Sequence, residues 1–121
     1  MPSRGEVWLA SLGAGRSGEP GKNRPVLIVS VDDISVGMSD ELLVVVPISS
    51  SRESSTLRPS IAPAEGVTRH SVALCRGIRA VARSRLLRRL GAVTPETLER
   101  VTKTLALILD IPTAGSVRTG E

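Results

Sequence analysis

Arg24 and Pro25 are the residues of this chain whose types and order most directly suggest chemistry. Proline fixes its own φ, lacks a backbone donor and biases the preceding residue toward extended geometry, so Arg24 is held in a restricted backbone state. The pair stands before the apolar run 26–29 and after a polar loop that ends in Lys22 and Asn23. A permanent cation at the mouth of a buried strand, beside a cationic loop, is suited to binding a phosphate.

The chain offers few residues for chemistry of another kind. It has one histidine, His70, one cysteine, Cys75, and scattered carboxylates, so no metal site is predicted and no cofactor is expected. Cys75 ends the apolar stretch 72–75, which favours a small buried core residue over a nucleophile. Because a single cysteine cannot form an intrachain disulfide, the cytoplasm is the expected compartment.

The distribution of charge is more informative than its total. The chain carries 16 Lys and Arg against 12 Asp and Glu, a formal net charge of +4. Between Glu65 and Glu96 there is no acidic residue but a set of arginines that we call the arginine block: Arg69, Arg76, Arg79, Arg83, Arg85, Arg88 and Arg89. Such a block is suited to a polyanionic partner such as a nucleic acid, and a solvated sheet face is the alternative.

Strands dominate the predicted secondary structure, and one helix follows them. Apolar runs and turn signals predict strands at about residues 5–10, 25–31, 42–48, 57–62, 71–75, 78–81 and 88–93. Pro47 is expected to weaken the end of the third strand. Thr94-Pro95-Glu96 is a strong helix start, and apolar residues recur at helical spacing until Pro112.

The length of 121 residues fits one domain, predicted to span residues 1–111, with a disordered tail at 112–121. The longest apolar run, 42–48, is far too short to cross a bilayer, so no membrane association is expected. The spacing of the short strands predicts a small, mainly antiparallel barrel.

The order of these motifs resembles that of the MazF/PemK/Kid toxins. The matching pieces are Arg4-Gly5-Glu6-Val7-Trp8, a glycine-containing loop, Arg24-Pro25-Val26-Leu27-Ile28-Val29-Ser30, Val46-Pro47-Ile48-Ser49, Ser71-Val72, and Arg79 ahead of the C-terminal amphipathic helix. The resemblance covers about residues 4–111. It implies a mainly β fold with a C-terminal α-helix, a small SH3-like antiparallel barrel of the MazF/CcdB toxin type.

The resemblance also implies an activity, that of the toxin of a type II toxin-antitoxin system. Such a toxin is a metal-independent, sequence-selective endoribonuclease, or RNA interferase, that cleaves single-stranded RNA by 2′-hydroxyl attack and leaves 2′,3′-cyclic phosphate and 5′-hydroxyl ends. The family's catalytic Arg maps onto Arg24, and its hydroxyl residue, usually Thr, maps onto Ser49. The implied protein partners are a cognate antitoxin, whose disordered segment blocks the groove, and a second copy of the chain in a homodimer.

A rigidly placed guanidinium suits this reaction on physical grounds. The RNA supplies the nucleophile, and the protein must supply in-line geometry and positive charge for a phosphorane that is more negative than the diester. Because a guanidinium is effectively never deprotonated in proteins, Arg24 is assigned to stabilising this charge, and a role in proton transfer stays open. Ser49 is expected to hold a nonbridging phosphate oxygen or to orient the 2′-hydroxyl.

Two positions depart from the family pattern. His70 stands where the family usually carries Asp, and Arg76-Gly77 stands where many relatives carry an acidic residue and Gln. Imidazole is a common general base, but a lone turn histidine is ranked here as a substrate-contact residue. The candidates for substrate binding are Lys22, Arg52, His70, Arg76 and Arg79. Because aromatic residues are almost absent, base stacking is expected to use guanidinium planes.

Two other functions fit part of the pattern. A noncatalytic RNA-binding module needs only the arginine block. A topoisomerase-binding toxin of the same barrel fold relies on an aromatic residue near its C-terminus, and residues 118–121 contain none. The endoribonuclease is therefore the favoured interpretation.

Overall fold

The computed structural model describes residues 2–13, 22–34 and 37–112. These residues form strands β1 (Glu6–Ser11), β2 (Asn23–Ile28), β3 (Leu42–Ser49), β4 (Ser60–Ile61), β5 (Ser71–Ala73), β6 (Arg79–Ala82) and β7 (Leu86–Ala92), followed by helix α1 (Pro95–Leu109). Short 3-10 turns lie at Asp32–Ile34, Pro63–Glu65, Cys75–Gly77 and Arg83–Arg85. The predicted mainly β fold with a C-terminal helix is confirmed.

The described strands form one curled antiparallel sheet. Its order is β4-β5-β3-β2-β1-β7, and β6 pairs with the first half of β3. The long strand β3 therefore pairs with β2 on one side, and on its other side with β6 and then β5. This arrangement brings the start of β2, the end of β3 and the edge strand β7 close to one another.

Pro47 lies inside β3, which continues through it to Ser49. Val45 pairs with β6, whereas Ile48 pairs with β5. The Pro47 carbonyl accepts a hydrogen bond of 2.8 Å from the Leu74 N–H, on the β5 side. The N–H and C=O of a strand residue point to the same side, so the proline nitrogen, which has no hydrogen to donate, also faces away from β2. On that side β3 changes its partner from β6 to β5. No hydrogen bond between paired strands is therefore lost at Pro47.

The buried apolar side chains form two clusters, as expected when alternate strand residues point to opposite faces. The larger cluster includes Val7, Leu27, Val46, Ile48 and Ile61, together with Val101 and Leu105 of α1. The smaller cluster includes Ala10, Leu12, Val26, Ile28, Val45 and Val81, with Trp8 and Leu86 packed against it. The helix therefore covers one face of the sheet, and Trp8 contributes to the core of the other.

Helix α1 begins where its capping sequence predicts. The Thr94 hydroxyl accepts a hydrogen bond of 3.1 Å from the Thr97 N–H, and Pro95 occupies the first helical position. The helix ends at Leu109, after which Asp110 adopts a left-handed φ of 56°. No helix in the described ranges is long and apolar enough to cross a membrane. Most of the glycine-rich loop at 11–23 and of the predicted tail at 112–121 lies outside the described residues.

Cys75 is fully buried in the larger cluster, as the sequence predicts. Burial raises the pKa of its thiol to about 11, so the reactive thiolate is scarce at neutral pH. We therefore expect the native protein to resist a thiol reagent at mildly alkaline pH and to be labelled only after unfolding in guanidinium chloride. Rapid labelling of the native protein, followed by spectrophotometry, would show instead that the thiol is accessible.

Candidate active site

Three arginines from separate parts of the chain line one pocket of about 380 Å³. They are Arg24 on β2, Arg69 in the segment between β4 and β5, and Arg88 on β7. The aliphatic lining comes from Leu9, Pro25, Ile48, Val67 and Leu90, and the polar lining from Asn23, Ser50, Thr68 and Ser71. None of the described residues that line the pocket is acidic. The pocket therefore combines an aliphatic surface with an excess of positive charge.

The strand register explains how these distant residues meet. Leu9 of β1 lies opposite Pro25 of β2 on one side and opposite Arg88 of β7 on the other. Cross-strand partners point to the same face of a sheet, so these three side chains share a face. Two residues along their strands, Val7 and Leu27 point to that same face and belong to the larger core cluster. The pocket thus adjoins the core on the face covered by α1. Arg24 pairs with Ala10 of the smaller cluster, so its side chain leaves β2 on the opposite face.

The neighbouring residues Arg88 and Arg89 of β7 have different surroundings. The Arg89 Nε donates a hydrogen bond of 2.8 Å to a carboxylate oxygen of Glu6. Partial burial alone would raise the pKa of Glu6, but hydrogen bonds from the Trp8 indole, the Ser3 amide and Arg89 lower it overall. Arg88 is exposed, lines the pocket and forms no ion pair with a described carboxylate. Arg89 therefore stabilises the fold, whereas Arg88 is available to a ligand.

The segment that carries Arg69 is anchored at its start by Glu65. One carboxylate oxygen of Glu65 accepts the Ala62 N–H and the other accepts the Thr94 N–H, each at 2.8 Å. Burial alone would raise the pKa of Glu65, but these two amides, with a nearby hydroxyl and guanidinium, outweigh it and hold the pKa below its ordinary value. Because Thr94 caps α1, Glu65 joins the start of the helix to the pocket.

Gly66 and Gly91 bring the same segment against β7. Gly66 has a φ of +114°, in the left-handed region that favours glycine. A Cβ on Gly91 would lie 2.7 Å from the Gly66 Cα and 2.9 Å from the Glu65 carbonyl oxygen. At the far end of the segment, the Ser71 hydroxyl donates a hydrogen bond of 2.9 Å to the Arg69 carbonyl oxygen. The backbone on both sides of Arg69 is therefore held in place.

Replacing Glu65 by Gln should destabilise the fold at neutral pH by about 1–3 kcal/mol, because the charged acceptor of two amide N–H groups is lost. Since the folded pKa is lowered, the carboxylate stabilises the fold above its ordinary value of 4.5, and this stabilisation is lost as the pH falls through the lower folded value. Urea unfolding across pH measures both proteins. The difference in unfolding free energy should shrink on acidification, and a constant difference would contradict the assignment.

The register of β2 with β3, continued to the ends of the two strands, places Arg24 opposite Ser49, so the two predicted catalytic residues share one face of the sheet. Arg24 also lines the pocket. Arg24 is half-buried, whereas Ser49 is 5% exposed and ends β3. The Ser49 hydroxyl lies 3.0 Å from the Ser51 hydroxyl and accepts the Ser51 N–H at 3.2 Å. The next residue, Ser50, lines the pocket, while Ser49 does not. Alternation along the chain turns Ser50 to the face opposite Arg24, so Ser49 stays the candidate for the hydroxyl role.

The five predicted substrate-binding residues are all exposed, and none lines the pocket. They are Lys22, His70, Arg52, Arg76 and Arg79. The first two flank the pocket, since one directly precedes Asn23 and the other stands between two lining residues. The remaining three lie after β3, in the turn after β5 and at the start of β6, respectively. Their roles in binding stay predictions.

Arg69 and Arg88 line the pocket, although the sequence does not predict a binding role for either residue. Both belong to the arginine block, which was the signal available. Within that block the sequence alone does not rank one arginine above another. Among the residues that the structure describes, no group of three or more His, Cys, Asp or Glu side chains could hold a metal ion.

Comparison with known proteins identifies the family. Residues 3–109 match the model of the PemK-like, MazF-like toxins of type II toxin-antitoxin systems. The chain belongs to this family. The match spans the described strands and the whole of α1, so the PemK/MazF family accounts for every element that builds the pocket.

Solved structures reproduce the PemK/MazF fold over most of the chain. An endoribonuclease in complex with its cognate antitoxin, from a mycobacterial species, is 26% identical, with a TM-score of 0.75 over 93% of this chain and 99% of that one. The Mycobacterium tuberculosis toxin MazF-mt6 is 18% identical, with a TM-score of 0.74 over 89% and 99%. MazF from Deinococcus radiodurans is 22% identical, with a TM-score of 0.75 over 90% and 96%. The expected MazF/CcdB type of barrel is thereby confirmed.

Proposed function

We propose that this MazF-like toxin is a metal-independent, sequence-selective endoribonuclease that cleaves single-stranded RNA. The observation that carries the proposal is Arg24, which lies opposite Ser49 in the strand register and lines a pocket with Arg69 and Arg88, with no described acidic residue in the lining. Such a pocket attracts a phosphate and the sugar or base attached to it. Family membership and the similarity to a mycobacterial endoribonuclease support the proposal.

In the proposed reaction the RNA supplies its own nucleophile. The 2′-hydroxyl oxygen loses its proton and attacks the adjacent phosphorus, and the bond from phosphorus to the 5′-oxygen of the next nucleotide breaks. The leaving oxygen takes up a proton, so the products are a 2′,3′-cyclic phosphate and a 5′-hydroxyl. The phosphorane between them is more negative than the starting diester, and a cation already in position stabilises it more than it stabilises the substrate.

We assign Arg24 to stabilising the negative charge of the phosphorane. Proline at position 25 restricts its backbone, and its pairing with Ala10 across β1 fixes the strand on which it stands. Ser49, which lies opposite Arg24 in the register of β2 with β3, holds a nonbridging oxygen or orients the 2′-hydroxyl. The exposed Lys22 and His70 beside the pocket, and the cations of the arginine block beyond it, bind the flanking RNA.

The proposed function includes two protein partners. The mycobacterial structure is a complex with a cognate antitoxin, and a Deinococcus radiodurans structure contains MazE with MazF. We assign to this toxin a cognate antitoxin whose extended segment covers the pocket, and a homodimeric state. A cytoplasmic location agrees with an RNA substrate.

The experiment that tests the function is RNA cleavage in EDTA. Purified protein is incubated with a long single-stranded RNA, the cuts are mapped, and the ends are tested for 2′,3′-cyclic phosphate and 5′-hydroxyl. A matched RNA with 2′-deoxyribose at one mapped position should escape cleavage at that position only. Cleavage that survives this change contradicts the mechanism. Tight binding without any cleavage would favour the noncatalytic RNA-binding module.

A further inference from the structure

We infer that Arg69 and Arg88 bind phosphates of the RNA strand that is cleaved at Arg24, so that the protein holds more than one phosphate of the same strand. The inference rests on the proposed function, because it states how the substrate of that site is held. It adds two residues to the site, neither of which is implied by Arg24-Pro25. Their contribution is to binding and positioning of the RNA.

The first argument is the division of the arginine block into committed and available side chains. Arg83 lies 3.7 Å from a glutamate oxygen, Arg89 lies 2.8 Å from another, and the Arg85 guanidinium donates to a backbone carbonyl at 3.3 Å. The other four, Arg69, Arg76, Arg79 and Arg88, are exposed and form no ion pair in the described part of the chain, and of these four Arg69 and Arg88 line the pocket. An arginine that is not paired with a carboxylate of the protein has guanidinium N–H groups available to donate hydrogen bonds to a ligand.

The second argument is that both side chains start from fixed backbone. Arg69 lies in a segment held by Glu65 at its start and by the Ser71 hydroxyl at its end. Arg88 lies in β7, opposite Leu9 of β1. A guanidinium on an ordered backbone loses less conformational freedom on binding than one on a loose loop, so more of the interaction energy appears as affinity.

The third argument is the size and lining of the pocket. Its volume of about 380 Å³ lies near the lower end of the range for ligand pockets, roughly 300–1,000 Å³. This is room for about one nucleotide unit of a flexible strand. The aliphatic side chains of Leu9, Ile48 and Leu90 offer a surface for its sugar or base, while the arginines meet the phosphates. Single-stranded RNA, whose bases can leave the stack, fits this combination.

The test measures binding of an RNA that the protein cannot cleave. A single-stranded 2′-O-methyl oligonucleotide lacks the attacking hydroxyl, so its dissociation constant can be followed over a range of salt concentrations. The variants are Arg69→Gln and Arg88→Gln. Lys103→Gln is the matched control, because it removes the same charge from α1, where the Lys103 amine lies 3.1 Å from Glu99 and away from the pocket lining. Thermal unfolding of each variant confirms that it is folded.

Each pocket variant should raise the dissociation constant about tenfold or more at low salt, because it removes one charge-assisted hydrogen bond to a phosphate. Each should also reduce the slope of log affinity against log salt by about 0.7, the loss of one phosphate contact on a single strand. Lys103→Gln should leave the slope unchanged. Slopes equal to that of the wild type in both pocket variants would overturn the inference, as would a wild type that binds no RNA.

The two proposals fail in different ways. If the wild type cleaves RNA normally but both pocket variants keep its salt dependence, the roles of Arg69 and Arg88 are refuted and the endoribonuclease stands. If the slopes fall as expected but the wild type cleaves no RNA that it binds, the endoribonuclease is refuted and the phosphate-binding roles stand.

Discussion

Replacing Arg24 by Ala should lower the rate of RNA cleavage by about 10²–10³-fold, the usual cost of removing one preorganised group that stabilises transition-state charge. The loss should appear mainly in the rate of the chemical step, because the other pocket arginines still attract the RNA. Single-turnover cleavage of one oligonucleotide in EDTA, at saturating protein, measures that step directly.

Arg24→Lys separates the charge of the side chain from its shape. Lysine keeps the positive charge but loses the planar fork that binds two oxygens at once, so its rate should lie between those of the wild type and the Ala variant. Lys103→Gln serves as the control for net charge and should cleave at the wild-type rate. If folded Ala and Lys variants both cleave as fast as the wild type, Arg24 has no part in catalysis.

Replacing Gly91 by Ala should destabilise the fold by about 1–3 kcal/mol, the usual cost of overpacking. The new Cβ would stand 2.7 Å from the Gly66 Cα and 2.9 Å from the Glu65 carbonyl oxygen. These are backbone atoms that cannot rotate away, and Gly66 already has a left-handed φ. The segment must therefore move as a unit and carry Arg69 with it, so RNA binding should weaken as well. Chemical denaturation and the binding assay measure the two effects.

Gly77→Ala is the matched control for this change. A Cβ on Gly77 would lie 3.6 Å from the Pro47 ring, which is ordinary van der Waals contact, and no positive φ constrains the residue. Its unfolding free energy should stay within about 1 kcal/mol of the wild type. Equal stability of the two variants would show that the contact between Gly66 and Gly91 relaxes freely.

The parts of the fold that were predictable depend on local signals. The capping sequence at Thr94 located the start of α1, and alternating apolar runs located most strands. The start of β2 was placed too late, at Pro25, because Asn23 and Arg24 are polar and join the strand only through their pairing with β1. That pairing is a matter of register between segments, which local composition does not reveal.

In the candidate site, too, the features that depend on local sequence could be predicted, and those that depend on contacts between distant segments could not. Proline after Arg24 marks a cation with a restricted backbone, and the structure places that residue at the lining of the pocket and opposite Ser49. The presence of Arg69 depends on the close approach of Gly66 to Gly91, and that of Arg88 on its register with Leu9. Both contacts join residues that are far apart in sequence, so the spacing of residues within a short segment does not predict them. The binding roles predicted for the exposed residues around the pocket remain to be tested.

The opposite surroundings of Arg88 and Arg89 affect how mutagenesis of this protein must be designed. A double substitution of the adjacent arginines would remove a pocket cation and, at the same time, the partner of Glu6. A poorly folded variant and a variant unable to hold RNA would then give the same loss of activity. Basic runs that lie on strands should be neutralised at alternate positions, so that each variant alters one face of the sheet and reports on one property.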